Sequence, residues 1–442
     1  MGAPAPGHSR PRYGPAERVP PDEEGDTMPG SRVPPGGPVQ GTAAPRRVLE
    51  QLLGIPFTEG NRVDVLRDGR ETFPALLDAI AAATRTVDVL WFAWRGSDVG
   101  TQVSEALAER ARSGVRVRVL LDAYGAGQMS RDERERLRRA GCTVFSYRPV
   151  PSWRPTVWNL RTHRRVLVCD GSVAFTGGTG VADAWAGGGS SPGEWRDTAF
   201  RVRGPAVAGL RGAFTETWLQ AELHRGTGHP LSEADPFPVL DPVGPSPVQV
   251  LRPKSGPGWN DAALAIALLL QTARARVRFT TPYVRLPGWL RDLVLETAGR
   301  GVRVQLLVAG PRVERPAVHL QGEREFGPLL GAGAEIWRYR PSLLHAKVVT
   351  VDGAIAMGGT TNLDVRSLAL NEQVGLLVDD PAVVATLDEH FDEDLTRSER
   401  VTPAGWAARP PTHRALEKAA DVVGRPLRGW GGIGLAGRRP GR

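Results

Sequence analysis

The strongest constraint on this 442-residue chain is that it contains one pattern twice. "SGVRVRVLLDA" (113–123) is echoed by "RGVRVQLLVAG" (300–310), an offset of 187. "AGCTVFSYRP" (140–149) is echoed by "AGAEIWRYRP" (332–341), an offset of 192, and "HRRVLVCDG" (163–171) by "HAKVVTVDG" (345–353), an offset of 182. The three echoes keep their order, and their offsets differ only by loop lengths, which marks an internal duplication. Gly141 lies 22 residues before His163 and Gly333 lies 12 before His345, so ten extra residues precede the first histidine.

The residues between the echoes read as alternating elements. Val87–Trp91, Val115–Leu121, Thr143–Tyr147, Val166–Cys169, Val173–Thr176 and Trp195–Val202 have strand character, while Val103–Ser113, Arg131–Ala140 and 205–223 have helical character. Near-continuous apolar strands separated by helices predict an α/β layer with both faces covered. The expected layout is a disordered Pro/Gly-rich tail (1–45), a first domain (46–229), a Pro-rich linker (230–247), a second domain (248–412) and a basic C-terminal tail (413–442).

Composition then excludes several classes. With 41% hydrophobic residues the chain is too apolar to be disordered throughout. Its longest unbroken apolar run, Ala262–Leu270, falls far short of the roughly 20 residues that span a bilayer. No secretory signal is evident after Met1. Cys142 and Cys169 lie in strand-like stretches outside any metal-ligand spacing and are expected to be buried free thiols. The net charge is +8, and residues 401–442 carry eight basic against two acidic side chains. The middle of the chain is therefore nearly neutral, which argues against a broad cationic groove for nucleic acid. Only three lysines, Lys254, Lys347 and Lys418, stand against 53 arginines. Each lysine position is therefore informative.

Lys347 lies in the run His345-Ala-Lys347, Asp352, Gly359-Thr360-Thr361-Asn362. Two residues apart on a strand, His345 and Lys347 point to one face. Asp352 opens an Asp-Gly turn, and the following strand, Ala354–Met357, returns the chain toward Gly359, Thr360 and Asn362. An imidazole, an ammonium and an amide on one small volume suit a phosphodiester: the imidazole attacks phosphorus or moves a proton, and the donors hold the charged oxygens. The first copy offers His163, Arg165, Asp170 and Gly177-Gly178-Thr179-Gly180. Two such half-sites imply one composite site at a pseudo-twofold interface, with one histidine the nucleophile and the other the general acid, later the base.

The second motif resembles the HxKxxxxD signature of the phospholipase D superfamily. The runs 343–380, 159–178, 195–207, 281–290 and 329–347 resemble its bacterial cardiolipin synthase branch, and the likeness extends from about Arg62 to Arg414. The resemblance implies two duplicated α/β domains, each a mixed sheet flanked by helices, with the active site at their interface. It implies that His163 forms a phosphatidyl-histidine and that His345 protonates the leaving alcohol and then deprotonates the incoming one. Lys347, Asn362 and Arg165 would hold the phosphoryl oxygens, with Thr360 and Thr179 as further phosphate-binding candidates. Asp170 and Asp352 would orient and charge-balance the imidazoles. Glu372 falls close to the site, with Asn371 and Arg366 as neighbours. No cofactor or metal is implied. The acceptor would be phosphatidylglycerol and the product cardiolipin, with the phosphatidyl donor and the oligomeric state left open.

The first motif departs from the family pattern. Arg165 stands where lysine is expected, Gly180 where asparagine is expected, and Thr162 where the branch often has asparagine. Arginine keeps the charge and binds phosphate in two-point fashion. Losing the amide at 180 removes a donor unless Thr179 or a backbone N–H replaces it. A lipid substrate without a spanning helix implies peripheral docking on the cytoplasmic face of an anionic membrane. The basic C-terminal segment with Lys418, Arg425, Arg428, Arg438, Arg439 and Arg442, and the apolar Leu427, Trp430, Ile433 and Leu435, is the candidate tether. Leu286, Trp289 and Leu290 either line a lipid entrance or belong to the core. Beside phosphatidyl transfer stand two other readings: hydrolysis by the same catalytic group, as a phospholipase or less readily a nuclease, and a weakened, lipid-binding relative.

Overall fold

The computed structural model describes residues 45–149, 160–225, 237–255, 260–314, 316–413 and 416. The N-terminal tail and nearly all of the basic C-terminal segment, Lys418 included, lie outside the described residues. The first copy contributes β1 (Thr58–Arg67), β2 (Thr86–Trp91), β3 (Arg116–Asp122), β4 (Thr143–Tyr147), β5 (Val166–Cys169), β6 (Val173–Gly177), β7 (Trp195–Arg196) and β8 (Thr198–Arg203). The second contributes β9 (Ser246–Leu251), β10 (Arg276–Thr281), β11 (Val284–Arg285), β12 (Arg303–Ala309), β13 (Glu335–Tyr339), β14 (Leu343–Leu344), β15 (Val348–Val351), β16 (Ile355–Gly359), β17 (Leu363–Asp364), β18 (Gly375–Val378) and β19 (Ser398–Val401).

Fifteen of these strands form one sheet, in the order β19-β13-β12-β10-β15-β16-β18-β9-β1-β8-β6-β5-β2-β3-β4. Read outward from the centre, the two copies give the same seven-strand sequence. In each, three strands run parallel (β2-β3-β4 and β10-β12-β13) and the inner strands are antiparallel. The copies join where β1 pairs with β9, with Thr58 opposite Val248 and Asn61 opposite Ser246. There Asn61 donates to the Ser246 carbonyl at 3.1 Å and accepts from the Ala206 amide at 2.7 Å, so its buried side chain stitches the seam. The expectation of two mixed α/β halves holds, with both sheets merged into one. Among the described strands of this sheet only β19, antiparallel to β13, lacks a counterpart.

The strands take their burial from helices on both faces. β2 is buried from Val87 to Trp91, as its near-continuous apolar run predicts, with the one charge, Asp88, matched by Arg118 at 2.8 Å. Helices start where the sequence supplies caps: Ser97 accepts from the Gly100 amide and Ser130 from the Glu133 amide. One apolar cluster spans the seam, uniting Phe200, Phe214 and Trp218 with Val348, Leu376 and Val384. The opening helix Pro45–Leu53 buries Leu49 in the other copy's core, beside residues of the helix Asp261–Thr272. Leu286 and Leu290 are core residues, with Trp289 packed against the same cluster, so these three line no entrance. Cys142 and Cys169 are buried free thiols, and burial pushes the Cys142 thiol up to about 11. Among the described residues no helix is long and apolar enough to cross a membrane.

Candidate active site

The two histidines sit at matching places, each just before an inner strand. His345 to Lys347 is extended backbone between β14 and β15, and His163 precedes β5 in the same way. Each is tied to the opposite copy. The His163 amide donates to the Glu372 carbonyl at 2.8 Å, and the His345 amide donates to the Arg196 carbonyl at 2.7 Å. Short parallel pairings lock the same crossing: Leu344 lies against Arg196 and Thr162 against Glu372. Gly177 and Gly359 turn the chain back into the site at φ 151° in both copies. A Cβ there would meet Thr198 O at 2.6 Å or Val374 O at 2.4 Å, so only glycine lets the strands close.

This crossing places residues 197 and 373 behind the imidazoles. His345 Nδ1 lies 2.7 Å from Asp197 Oδ2, whereas His163 Nδ1 lies 3.1 Å from both Gln373 Oε1 and the Thr360 carbonyl. These three are acceptors and favour a proton on Nδ1 of each ring, while the Lys347 ammonium, 2.9 Å from His345 Nδ1, competes for that nitrogen as a donor. A carboxylate thus backs one imidazole and neutral groups back the other. Burial pushes Asp197 up, but the charges of His345 and Lys347 outweigh it and hold the carboxyl far below its usual range. Asp197 Oδ1 also accepts from the Thr198 amide at 2.8 Å. Gln373 is held in turn by the Thr360 hydroxyl, 2.5 Å from Oε1.

These contacts correct the expected roles of Asp170 and Asp352. Asp170 accepts from the backbone amides of Thr84, Arg85 and Thr86, and Asp352 from those of Arg274, Ala275 and Arg276. Both adopt positive φ, 52° and 53°, at the turn where the next strand begins. Seven residues of extended chain separate each from its histidine, so these carboxylates cap strand starts and the imidazoles find partners elsewhere. Thr360 is likewise reassigned: its carbonyl and hydroxyl hold His163 and Gln373, leaving the hydroxyl committed to the scaffold. Glu372 pairs with Arg148 and accepts from Tyr147 at 3.3 Å, a buttress beside the strand rather than a partner of either imidazole. Its counterpart Arg196 is equally structural, held by Asp394 at 2.8 Å and Asp68 at 3.3 Å.

The cations expected to bind phosphate lie together with the histidines. His163, His345, Lys347 and Arg165 are 8%, 6%, 4% and 1% exposed, so the imidazoles and the cations form a buried cluster. Burial, opposed by Asp197, lowers the Lys347 ammonium to about 7, and burial lowers the Arg165 guanidinium to about 10. Burial, reinforced by Lys347, brings His345 down to about 4 and, reinforced by Arg165 and Lys347, brings His163 well below the usual range. Arg165 Nε and Nη1, Thr179 Oγ1, Thr361 Oγ1, Asn362 Oδ1 and Asn371 Oδ1 are buried without a hydrogen-bond partner. Of these, the Arg165 N–H groups and the Thr179 and Thr361 hydroxyls are donors, and unpartnered buried donors beside depressed imidazoles are the polar complement of a bound anion; the two asparagine oxygens are acceptors. Lys254 is exposed and pairs with Glu216 at 2.8 Å, taking no part in these contacts.

Asp197 and Gln373 carry no signature of their own in the sequence. The signal that could have found them is the duplication: Asp197 in "WRDTAF" directly precedes β8, where Ala199 lies opposite Gly177, and Gln373 in "LNEQVG" lies two residues before β18, where Gly375 lies opposite Gly359.

Known proteins resemble this chain in sequence and in fold. A family profile described as "Cardiolipin synthase, PLD-like domain" matches residues 76–184 and 266–395, one region per copy. The major cardiolipin synthase ClsA of Bacillus subtilis is 31% identical over 370 residues, covering 83% of this chain and 76% of that protein. A cardiolipin synthase of Oceanobacillus iheyensis is 32% identical over 367 residues, covering 83% and 75%. The crystal structure of a phosphatidylserine synthase from Haemophilus influenzae superposes with a TM-score of 0.67 at 15% identity, covering 88% of this chain and 99% of that one, a likeness of fold. With the duplicated sheet, the paired histidines and these relatives together, the chain belongs to the phospholipase D superfamily, in its cardiolipin synthase-like family.

Proposed function

We propose that the chain is a phosphatidyltransferase that makes cardiolipin by passing a phosphatidyl group through His163 to phosphatidylglycerol. The observation that carries the reading is the unequal backing of the imidazoles. Gln373 and a carbonyl support a neutral ring, which suits a nucleophile, while Asp197 supports an imidazolium, which suits an acid and base. His163 Nε2 attacks phosphorus, the bond from phosphorus to the headgroup oxygen breaks, and His345 gives that oxygen its Nε2 proton. A hydroxyl of phosphatidylglycerol then gives its proton to His345, its oxygen attacks phosphorus, and the phosphorus–nitrogen bond breaks to free His163. Arg165, Lys347, Asn362 and Thr179 hold the non-bridging oxygens. A phosphodiester beside Lys347 and Arg165 adds a negative charge that favours the His345 imidazolium needed for the first step.

Near-complete burial of the reacting side chains supports transfer to an alcohol over transfer to water. A lipid substrate supports peripheral contact with an anionic cytoplasmic leaflet, and the near-neutral middle of the chain gives a nuclease little support. The test is purified protein incubated with phosphatidylglycerol vesicles and, separately, with DNA, the products being identified by mass spectrometry. Cardiolipin with free glycerol is the expected outcome. Phosphatidic acid in its place identifies a hydrolase, cleaved DNA identifies a nuclease, and no product identifies a binding protein. A phosphatidyl adduct on His163, absent in His163→Ala, is expected; an adduct on His345 reverses the roles.

A further inference from the structure

Gly180 and Asn362 are equivalent by the 182-residue offset of the motifs, yet only the second copy has a side chain there. The space in the first copy is filled from elsewhere. A Cβ on Gly180 would lie 2.8 Å from Trp185 Cη2 and Cζ3, so the indole occupies the volume an asparagine would need. Trp185 sits in a short 3₁₀ turn, Asp183–Trp185, and is 2% exposed. Its Nε1 donates to Asp197 Oδ2 at 2.8 Å, and that same oxygen lies 2.7 Å from His345 Nδ1. The ring meets His345 edge-on, with centroids 5.4 Å apart at 79°, and Trp195 packs against it at 4.0 Å. Gly178 completes the cradle, because a Cβ there would lie 2.1 Å from Asp197 Oδ1. The other half-site does this differently: Thr360, at the position of Gly178, uses its hydroxyl to hold Gln373.

We infer that Trp185 is a positioning residue for His345, its indole N–H holding the Asp197 carboxylate at the angle and hydrogen-bonding capacity that His345 requires. The swap of asparagine for glycine in the first motif thereby becomes part of a rebuilt half-site. A carboxylate that spends one lone pair on an indole has less to give the imidazolium. Removing the N–H therefore makes Asp197 a stronger acceptor for His345 while leaving the carboxylate freer to turn.

The inference rests on the proposed pairing of Asp197 with His345 but not on the identity of the substrate, so the deciding measurement needs no substrate. The full chain is labelled with ¹⁵N-histidine, and the His345 resonance is assigned by its loss in His345→Asn. It is then titrated in the wild type, in Trp185→Phe, and with benzothienylalanine at 185, which keeps the ring's shape and lacks the N–H. Both replacements are expected to move the His345 titration upward by about one pH unit and to broaden its Nδ1–H signal. They are expected to lower turnover of whichever lipid reaction the wild type performs by about 10- to 100-fold, with KM little changed. Trp406→Phe, a core change remote from the site, controls for destabilisation and is expected to leave the His345 resonance in place. A His345 titration and Nδ1–H signal in the benzothienylalanine protein identical to the wild type would overturn the inference, whatever the activity. Loss of the lipid reaction in the wild type, with the titration shift present, would overturn the proposed function and leave the inference standing.

Discussion

Asp197→Asn is the sharpest probe of the site because it keeps the shape of the side chain and changes one property. Asp197 is fully buried, accepts from His345, Trp185 and Thr198, and is the counter-charge that raises Lys347 and Arg165. An amide at this position accepts on one atom only. If that oxygen stays with His345 the charge is lost, and if the amide turns its NH2 to the ring it imposes the wrong tautomer. In the serine protease triad, the corresponding Asp to Asn change costs about 10⁴ in kcat through this tautomer error. A loss on the order of 10³- to 10⁴-fold is expected here, with both formation and discharge of the His163 adduct slowed, since His345 moves a proton in each. Lys347 and Arg165 also lose their counter-charge, so the melting temperature is expected to fall, and rates must be read well below it. The assay is single-turnover conversion of radiolabelled phosphatidylglycerol in vesicles, with adduct and product quantified at each time. The reasoning fails if Asp197→Asn stays within tenfold of wild type. It fails equally if Asp170→Asn or Asp352→Asn abolishes turnover while leaving the protein as stable as before.

Gln373→Glu places a carboxylate behind His163, raises its imidazole pKa and protonates part of the nucleophile; the expected result is a pH–rate profile whose acid limb moves upward by about one unit, with near-wild-type turnover above it. Asp170→Asn and Asp352→Asn each weaken a cap on three backbone amides and are expected to cost roughly 1–3 kcal/mol of stability by urea unfolding, with kcat preserved below the transition. Lys347→Met is expected to abolish turnover while stabilising the fold by on the order of a few kcal/mol at pH 6. The buried ammonium titrates near 7 in the native state against 10.5 when unfolded. Below pH 7 both states are protonated and the burial penalty is fully present, whereas above it the native state sheds its proton first. Melting curves from pH 6 to 9 should therefore show the advantage of the methionine variant shrinking as pH rises. Gly178→Ala drives a methyl into Asp197 Oδ1, and a kcat loss with little change in KM is the expected readout in the lipid assay.

The chemistry-bearing histidines, the lysine and the duplication were legible because each depends on local spacing. The echo offsets of 187, 192 and 182 correspond to β3 with β12, β4 with β13 and β5 with β15. The partners of the histidines were not legible, because they come from the opposite copy. His163 meets Gln373 at a separation of 210 residues and His345 meets Asp197 at 148. In the absence of that information, a carboxylate seven residues along the same strand is the natural candidate, and extended geometry is what defeats it. At roughly 3.3 Å per residue, seven residues carry Asp170 and Asp352 more than 20 Å from their histidines. The single strand expected over Trp195–Val202 is broken at Asp197, between β7 and β8, because β7 leaves the main sheet to pair with β14 of the other copy. That break is what frees the aspartate side chain for His345.

The crossing also explains how a symmetric duplication supports an asymmetric reaction. Each copy supplies one imidazole and the group that tunes the other copy's imidazole, so a change at 197 acts on His345 and a change at 373 acts on His163. Two-step transfer needs a neutral nucleophile and a proton carrier at once, and identical half-sites would give two copies of one compromise. Here the halves have diverged behind the rings, Asp197 against Gln373, while each ring keeps Nδ1 against an acceptor of the opposite copy and the same tie to the opposite backbone. The divergence extends outward to the supports, Trp185 on one side and Thr360 on the other. Swapping the backing pair, as Asp197→Gln with Gln373→Asp, would on this logic move the acid role to His163 and the adduct to His345. Because each imidazole takes its Nδ1 acceptor from the opposite copy, fragments cut in the stretch between β8 and β9 would each keep a histidine and lose that acceptor, and activity would return only when both are mixed.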